Sequence, residues 1–279
     1  LEGKLGLVGY PIKHSLSPWI HQRFLENTET IGTYSILEVL ENELEQMVQT
    51  IRKNSYKGFN VTLPYKQKII PFLDELDPHA KEVGAVNTVL NRNGKLIGYN
   101  TDGIGYLRSL TNHYPAFVED RQKNVLLLGA GGAARAIYYA LNQSGFQFID
   151  IANRTIEKAQ SIADLKTPVS KTSVLTLSEA EKNLDKYDLI IQTTNVGMKP
   201  NEDEVPIRLE KLQENAIVSD IIYQPIWTKL LKEAKSRGAS VHHGHSMLLY
   251  QAQYAFEIWF GRLPIITNMD IQLKQLLEG

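Results

Sequence analysis

The chain contains no cysteine. That absence excludes disulfides, cysteine-ligated zinc, iron–sulfur clusters and thiol nucleophiles, and it agrees with a reducing, cytoplasmic setting. Charge of one sign is not in excess either: 30 basic and 31 acidic residues leave a formal net charge of -1, so there is no broad field to draw in nucleic acid or an anionic membrane. No stretch approaches the roughly 18 consecutive apolar residues of a membrane span. The opening "LEGKLGLVGYP" lacks the basic and apolar regions of an export signal. Internal repeats and low-complexity tracts are missing. The one histidine-rich run, "HHGH" (His242, His243, His245), has neither a helical ligand spacing nor a partnering carboxylate, so no metal is expected.

What is present is 279 residues, 43% of them hydrophobic, enough for a substantial core and of a length that suits two domains. "KLGLVG" is a short strand, and "SPWIHQRFLENT" a helix with Ser17 as candidate N-cap and Pro18 at its first position. "TYSILEV" and "ENELEQMVQTIRKNSY" repeat the strand-helix order, and "KGFNVTLPYK" runs into short helical pieces divided by Pro71. In "VNTVLNRNGKLIGYN" the pair Asn93-Gly94 signals a hairpin, after which Asp102 opens a helix.

From Lys123 the character changes. "NVLLLGAGGAARAIYYALNQSG" is a buried strand, a glycine turn and an amphipathic helix; "FQFIDIANRT", "YDLIIQTTNVGM" and "AIVSDIIY" add further strands alternating with helices. Such alternation implies a doubly wound parallel sheet covered on both faces. The late apolar helix "SMLLYQAQYAFEIWFG" carries Gln251, Gln253 and Glu257, too polar and too short for a membrane, and is expected to return to the first domain. The expected architecture is therefore α/β with two domains: a discontinuous N-terminal α/β domain, 1–104 plus 239–279, and an inserted Rossmann-type domain, 105–238.

"GAGGAA" at 129–134 has the form G-x-G-x-x-A after a strand and before a helix. Gly129 permits the tight turn, Gly131 lets the backbone approach a pyrophosphate, and Ala134 allows close helix packing; a merely structural turn is the alternative. At the tip of the next strand an NAD-binding fold usually places a carboxylate, but here the tip reads "NRTIEK". Arg154, with Asn153, Thr155 and Lys158, suits a 2'-phosphate and favours NADP over NAD. Thr194 and Gly197 in "TTNVGM" and Tyr223 in "DIIYQP" stand at later strand ends.

A nicotinamide exchanges hydride, so an alcohol substrate also requires a proton acceptor and groups that hold it in place. In "NVTLPYK", Pro64 restricts the backbone, is read as the first turn of a helix, and aims Lys66, with Thr62 and Asn60 as nearby donors and acceptors. Lys66 is the candidate proton carrier, ahead of His14. Asp102 is either its partner or the N-cap of the following helix. Ser15 and Ser17 suit a carboxylate, Asn87 suits hydroxyls, and Gln251 is a polar interruption of an apolar helix that needs partners.

Together "GYPIKHSLSP", "GFNVTLPYK", "GAVNT", "YNTDGIG", "GAGGAARA", "NRT", "VGM" and "GHSMLLYQ" closely resemble the shikimate dehydrogenase family, from about residue 5 to residue 260. The resemblance implies NADP-dependent, reversible reduction of 3-dehydroshikimate to shikimate on the route to chorismate and aromatic amino acids. It implies Lys66 and Asp102 as the catalytic pair, with Ser15, Ser17, Thr62, Asn87, Tyr223 and Gln251 holding the substrate. It assigns Gly129, Ala130, Gly131, Gly132, Ala133, Asn153, Arg154, Thr155, Lys158, Thr194, Ile221, Gly244 and Met247 to the cofactor. A monomer or homodimer is implied. The chain departs from the family pattern at Gln192, Asn195 and Ser246, all on the cofactor side. A dual-specificity quinate/shikimate dehydrogenase is the neighbouring alternative, and a catalytically silent binding or sensing protein is the alternative from another class.

Overall fold

A computed structural model describes residues 2–279. The chain forms two compact units: residues up to Gly105 together with Leu249–Thr267, and Tyr106–Leu248 together with Asn268–Gly279. It passes between them inside two helices, Asp102–His113 and Gly244–Phe260.

The first unit is built on six strands, β1 (Glu2–Gly9), β2 (Ile31–Glu38), β3 (Gly58–Val61), β4 (Glu75–Leu76), β5 (Thr88–Arg92) and β6 (Lys95–Tyr99), in the order β2-β1-β3-β5-β6-β4. β1 lies parallel to both β2 and β3, connected by the helices Ser17–Asn27 and Leu44–Lys53. The sheet then turns antiparallel at β3/β5 and β5/β6. The β5–β6 reversal is the two-residue turn expected from Asn93-Gly94, both at positive φ (54° and 88°), the backbone that Asn and Gly accept most readily. The late helix returns to this sheet as expected: Trp259 Nε1 donates to the Val89 carbonyl at 2.9 Å, and a Cβ on Gly58 would stand 2.2 Å from that nitrogen.

Two local expectations are corrected. Ser17 is the first helical residue rather than the cap; Leu16 precedes it without a side-chain cap, and the Ser17 N–H instead donates to Ser15 Oγ at 3.2 Å. Pro64 enters a turn, not a helix: Tyr65 N–H donates back to the Thr62 carbonyl at 2.9 Å. The buried Tyr65 hydroxyl anchors the turn on the Val39 carbonyl at 2.6 Å.

The second unit carries β7 (Asn124–Leu128), β8 (Phe148–Ala152), β9 (Val174–Leu175), β10 (Leu189–Gln192), β11 (Ile217–Asp220) and β12 (Ser240–His242), all parallel, in the order β12-β11-β10-β7-β8-β9. Counted from its own first strand, this is the 3-2-1-4-5-6 order of doubly wound dinucleotide folds. The period of two explains why its strands read as unbroken apolar runs. Val125 and Leu127 enter the core on one face, Leu126 and Leu128 the core on the other, and neither face meets water.

The domain limits read from the sequence differ from these units near the C-terminus. Residues 240–242 pair with β11, Ile217 opposite Ser240, so they close the second sheet. The helix Met269–Glu278 also belongs to the second unit, where Asp270 accepts from Ser246 Oγ at 2.7 Å and lies 3.4 Å from His245 Nε2. Among the described residues no helix is long and apolar enough to cross a membrane.

Candidate active site

Within the first unit the structure brings Lys66 and Asp102 together across 36 positions of sequence, Nζ to Oδ2 at 2.6 Å, with side-chain exposures of 17% and 5%. Asp102 is the first residue of its helix and not the cap. The Thr101 carbonyl accepts from Gly105 N–H at 3.0 Å, and Asn100 Oδ1 accepts from Asp102 N–H at 3.0 Å. Its carboxylate is thereby left to side chains. Asn87 Nδ2 donates to Asp102 Oδ1 at 3.0 Å, to Thr101 Oγ1 at 2.8 Å and to Gln251 Oε1 at 3.2 Å. Asn87 Oδ1 accepts from Thr101 N–H (2.8 Å) and Thr88 Oγ1 (3.0 Å), which sets the orientation of its amide. The interruption of the apolar helix by Gln251 is thus answered by partners, since a buried amide without them is costly. A mostly buried ammonium held by a carboxylate can deliver and recover a proton at a fixed place while its stem stays ordered.

Ser15 and Ser17 are neighbours, Oγ to Oγ at 3.2 Å, where Ser17 opens the helix and Ser15 precedes it. Thr62 is half-buried directly after β3, and Asn60, on β3, is buried with its amide spanning Tyr34, Asn87 and Thr88. His14 is exposed beside this segment.

In the second unit the sheet order reverses between β7 and β10, and the loops leaving the carboxyl ends of those strands carry the nucleotide candidates. Gly129 has φ +109°, closed to ordinary side chains, and a Cβ there would come within 2.6 Å of Thr193 Oγ1. Gly131 faces open space, its would-be Cβ meeting nothing within 4 Å, so the backbone of Gly129, Ala130, Gly131, Gly132 and Ala133 can be approached closely just where the helix Gly132–Gln143 begins. At the tip of β8, Arg154, Thr155 and Lys158 are exposed, and Asn153 Nδ2 donates to the Thr155 carbonyl at 2.8 Å. Asp150 offers no competing carboxylate: its oxygens accept from Ser173 N–H and the Tyr187 hydroxyl, each at 2.8 Å, inside the strand. The residues present therefore fit a dinucleotide with an extra phosphate on its ribose.

Thr194 follows β10 and donates through Oγ1 to Gln192 Oε1 at 3.1 Å. Gln192 itself is buried and closes this loop by donating to the Val196 carbonyl at 3.0 Å, so a residue outside the family pattern is absorbed as a loop brace. Ile221 N–H donates to the Gln192 carbonyl at 3.1 Å, and Gly244 presses on Ile221, where a Cβ would be 2.3 Å from the carbonyl oxygen. Met247 is buried in the core of this unit, and Tyr223 is half-buried in the loop after β11.

Sequence reasoning missed the parts that only packing defines. Thr101 joins Asn87 to the Gln251 carbonyl, to which its Oγ1 donates at 2.9 Å. Asp220 is buried at the end of β11, and burial raises its carboxyl to about 7 against the Ile222 N–H and Thr228 hydroxyl it accepts from. His242 is buried between Ser109 and Ser219, and burial lowers it to about 3. No sequence signal marks either burial. Among the described residues no group of three or more histidine, aspartate or glutamate side chains is placed to hold a metal ion.

Three family models match the chain: the shikimate dehydrogenase substrate binding domain over residues 7–89, shikimate / quinate 5-dehydrogenase over 115–222, and the shikimate 5'-dehydrogenase C-terminal domain over 244–269. A shikimate dehydrogenase (NADP(+)) of Oceanobacillus iheyensis is 51% identical over 276 residues, covering 99% of this chain and 98% of that protein. Among solved structures, shikimate 5-dehydrogenase from Thermus thermophilus, in complex with NADP(H) and shikimate, is 33% identical with a TM-score of 0.86, covering 98% of each chain. Quinate dehydrogenase from Corynebacterium glutamicum, in complex with NAD, is 27% identical with a TM-score of 0.88, covering 99% of this chain and 100% of that one.

Proposed function

The chain belongs to the shikimate dehydrogenase family, and from that membership we infer that it catalyses the reversible NADPH-dependent reduction of 3-dehydroshikimate to shikimate, on the route to chorismate and aromatic amino acids. The observation that carries the chemistry is the mostly buried Lys66–Asp102 couple at 2.6 Å. NADPH supplies the hydride for the substrate carbonyl.

Everything else falls to the protein's own side chains. Ser15 and Ser17 donate to the substrate carboxylate, and Thr62, Asn87, Gln251 and Tyr223 meet the ring hydroxyls. In the reductive direction Lys66 Nζ gives a proton to the carbonyl oxygen as it becomes a hydroxyl; in the oxidative direction it takes that proton back. Asp102 keeps the ammonium aimed through Oδ2, while its other oxygen is held by Asn87. Arg154, with Asn153, Thr155 and Lys158, holds the 2'-phosphate that separates NADP from NAD, and the glycine turn with Thr194, Ile221, Gly244 and Met247 holds the rest of the dinucleotide. The protein acts in the cytoplasm on a small molecule, as a monomer or homodimer.

Quinate shares the carboxylate and hydroxyl pattern of shikimate, and the likeness to a quinate dehydrogenase keeps dual specificity as the second reading. Initial rates for shikimate and quinate, each with NADP+ and NAD+, decide between them. The highest kcat/KM is expected for shikimate with NADP+; comparable rates with quinate would establish the second reading, and no turnover of either alcohol would refute both.

A further inference from the structure

A second set of buried and half-buried groups in the first unit takes no part in the reaction as described. Tyr34, on β2, stacks face to face on His21 with ring centroids 4.4 Å apart and planes 8° from parallel. His21 in turn packs against Phe24 at 5.8 Å and Trp259 at 5.2 Å. Neither of its ring nitrogens reaches hydrogen-bond geometry, although the Asn60 amide lies beside it, and burial lowers the ring to about 3. His21 is therefore a neutral aromatic wall that holds the Tyr34 ring.

The Tyr34 hydroxyl donates to Asn60 Oδ1 at 2.8 Å. Burial pushes this phenol far up, opposed by the neighbouring Ser17 side chain. From these contacts the donors run one way through the unit. Ser15 donates to Ser17 (3.2 Å), and Ser17 lies beside the Tyr34 hydroxyl. Tyr34 donates to Asn60, whose Nδ2 donates to Thr88 Oγ1 (3.1 Å); Thr88 donates to Asn87 Oδ1 (3.0 Å), and Asn87 Nδ2 to Asp102 Oδ1 (3.0 Å). A hydroxyl has one proton and an amide keeps its donors and acceptor on opposite sides, so the orientation of each member constrains the next. One end of the line is the Tyr34 hydroxyl, beside Ser17, and the other is the partner of Lys66.

We propose that Tyr34 is a positioning residue for the reaction, acting on the Lys66–Asp102 couple by holding the Asn60 amide in the orientation from which the Thr88, Asn87 and Asp102 bonds follow. The proposal rests on the activity inferred above. Without the phenol proton, Asn60 Oδ1 is left unsatisfied in a residue only 5% exposed. The alternative is an overturned amide, which would point that oxygen at the Asn87 carbonyl to which Nδ2 now donates at 3.1 Å. Either outcome loosens the line.

The test compares the full chain with Tyr34→Phe, Thr88→Val and the double variant, by initial rates with shikimate and NADP+ and by thermal unfolding. Thr88→Val breaks the same line at a second point with a near-isostere, and so supplies the answer if Tyr34→Phe does not fold. Each single change is expected to raise the KM for shikimate about five- to tenfold, the size of one or two lost buried hydrogen bonds, and to leave the KM for NADP+ within about twofold. The double variant should lose less than the product of the two, because both cut one line. A merely structural contribution would lower kcat through the folded fraction and leave KM alone. An unchanged KM for shikimate in the single variants, or multiplicative losses in the double variant, overturns the proposal and leaves the activity standing. If the unsubstituted chain fails to oxidise shikimate, the activity falls and this proposal with it.

Discussion

Lys66 and Arg154 show how differently two basic side chains are used. Lys66 is mostly buried and tied to a carboxylate, whereas Arg154 is exposed at a strand tip, and the acid within that strand, Asp150, is turned inward. Lys66→Ala removes the proposed proton carrier, so kcat should fall by about two to four orders of magnitude while NADP+ binding, followed by calorimetric titration, is retained. Arg154→Ala should raise the KM for NADP+ roughly tenfold and leave that for NAD+ nearly unchanged, because only the phosphorylated ribose loses a charge-assisted bond. Turnover that survives the first change, or a cofactor preference that survives the second, would remove the role assigned. Both candidates could be proposed from the sequence because the patterns that suggest them are local: a lysine after Asn-Val-Thr-Leu-Pro-Tyr and an arginine where an acid is customary. Asn60 was legible only as a polar neighbour, since its partners Tyr34 and Thr88 stand 26 and 28 positions away.

Helix packing governs the next scale. On the helix Asp102–His113, a Cβ added to Gly105 would stand 2.6 Å from the backbone nitrogen of Gln251, an atom that cannot swing aside as a side chain can. Gly105→Ala must therefore part the two helices. That strains the Thr101 to Gln251 bond at 2.9 Å and the Asn87 to Gln251 bond at 3.2 Å. A loss of about 1–3 kcal/mol in denaturant unfolding, with a raised KM for shikimate, is the expected result, and wild-type values of both would show that the contact yields without cost. The glycine was quoted in a motif, but the reason for it is another helix 146 positions later. By contrast the Asn93-Gly94 hairpin was readable outright, because a two-residue turn is decided by the backbone freedom of its own two residues. Ser17 was misread as a cap for the opposite reason. Ser15 sits two residues earlier and accepts from the Ser17 N–H, and the pattern of residue types does not say at which serine the helix begins.

For the molecule as a whole, buried titratable groups set the response to pH. His21 in the first unit and His242 in the second are both lowered from 6.5 to about 3 by burial. An unfolded histidine takes up its proton near 6.5 and the folded ones only near 3, so their stabilising contribution is complete above about 6.5 and is lost as the pH falls. Asp220 acts the other way. Its folded value of about 7 exceeds the 3.8 of the unfolded chain, so its contribution is present in acid and fades as the pH rises towards 7. With two histidines against one carboxyl, the melting temperature by calorimetry should fall between pH 6.5 and 4.5. Asp220→Asn should be more stable than the parent at pH 7, with the gap closing towards pH 4. A melting temperature constant over that range would argue against the neutral histidines.

The amino-acid order alone determined the two α/β units, the glycine turn at the start of the helix Gly132–Gln143 and the basic strand tip after β8, because periodicity, turn chemistry and short motifs act over a few neighbouring residues. Tertiary structure decided where the chain changes units near its C-terminus, which serine meets the helix N-terminus, and how Asp102 spends its two oxygens. It also decided the burial of His21, His242 and Asp220. These are properties of groups brought together from distant positions, and the free energy of burying or pairing a polar atom depends on what surrounds it in space, which no local pattern of residue types records.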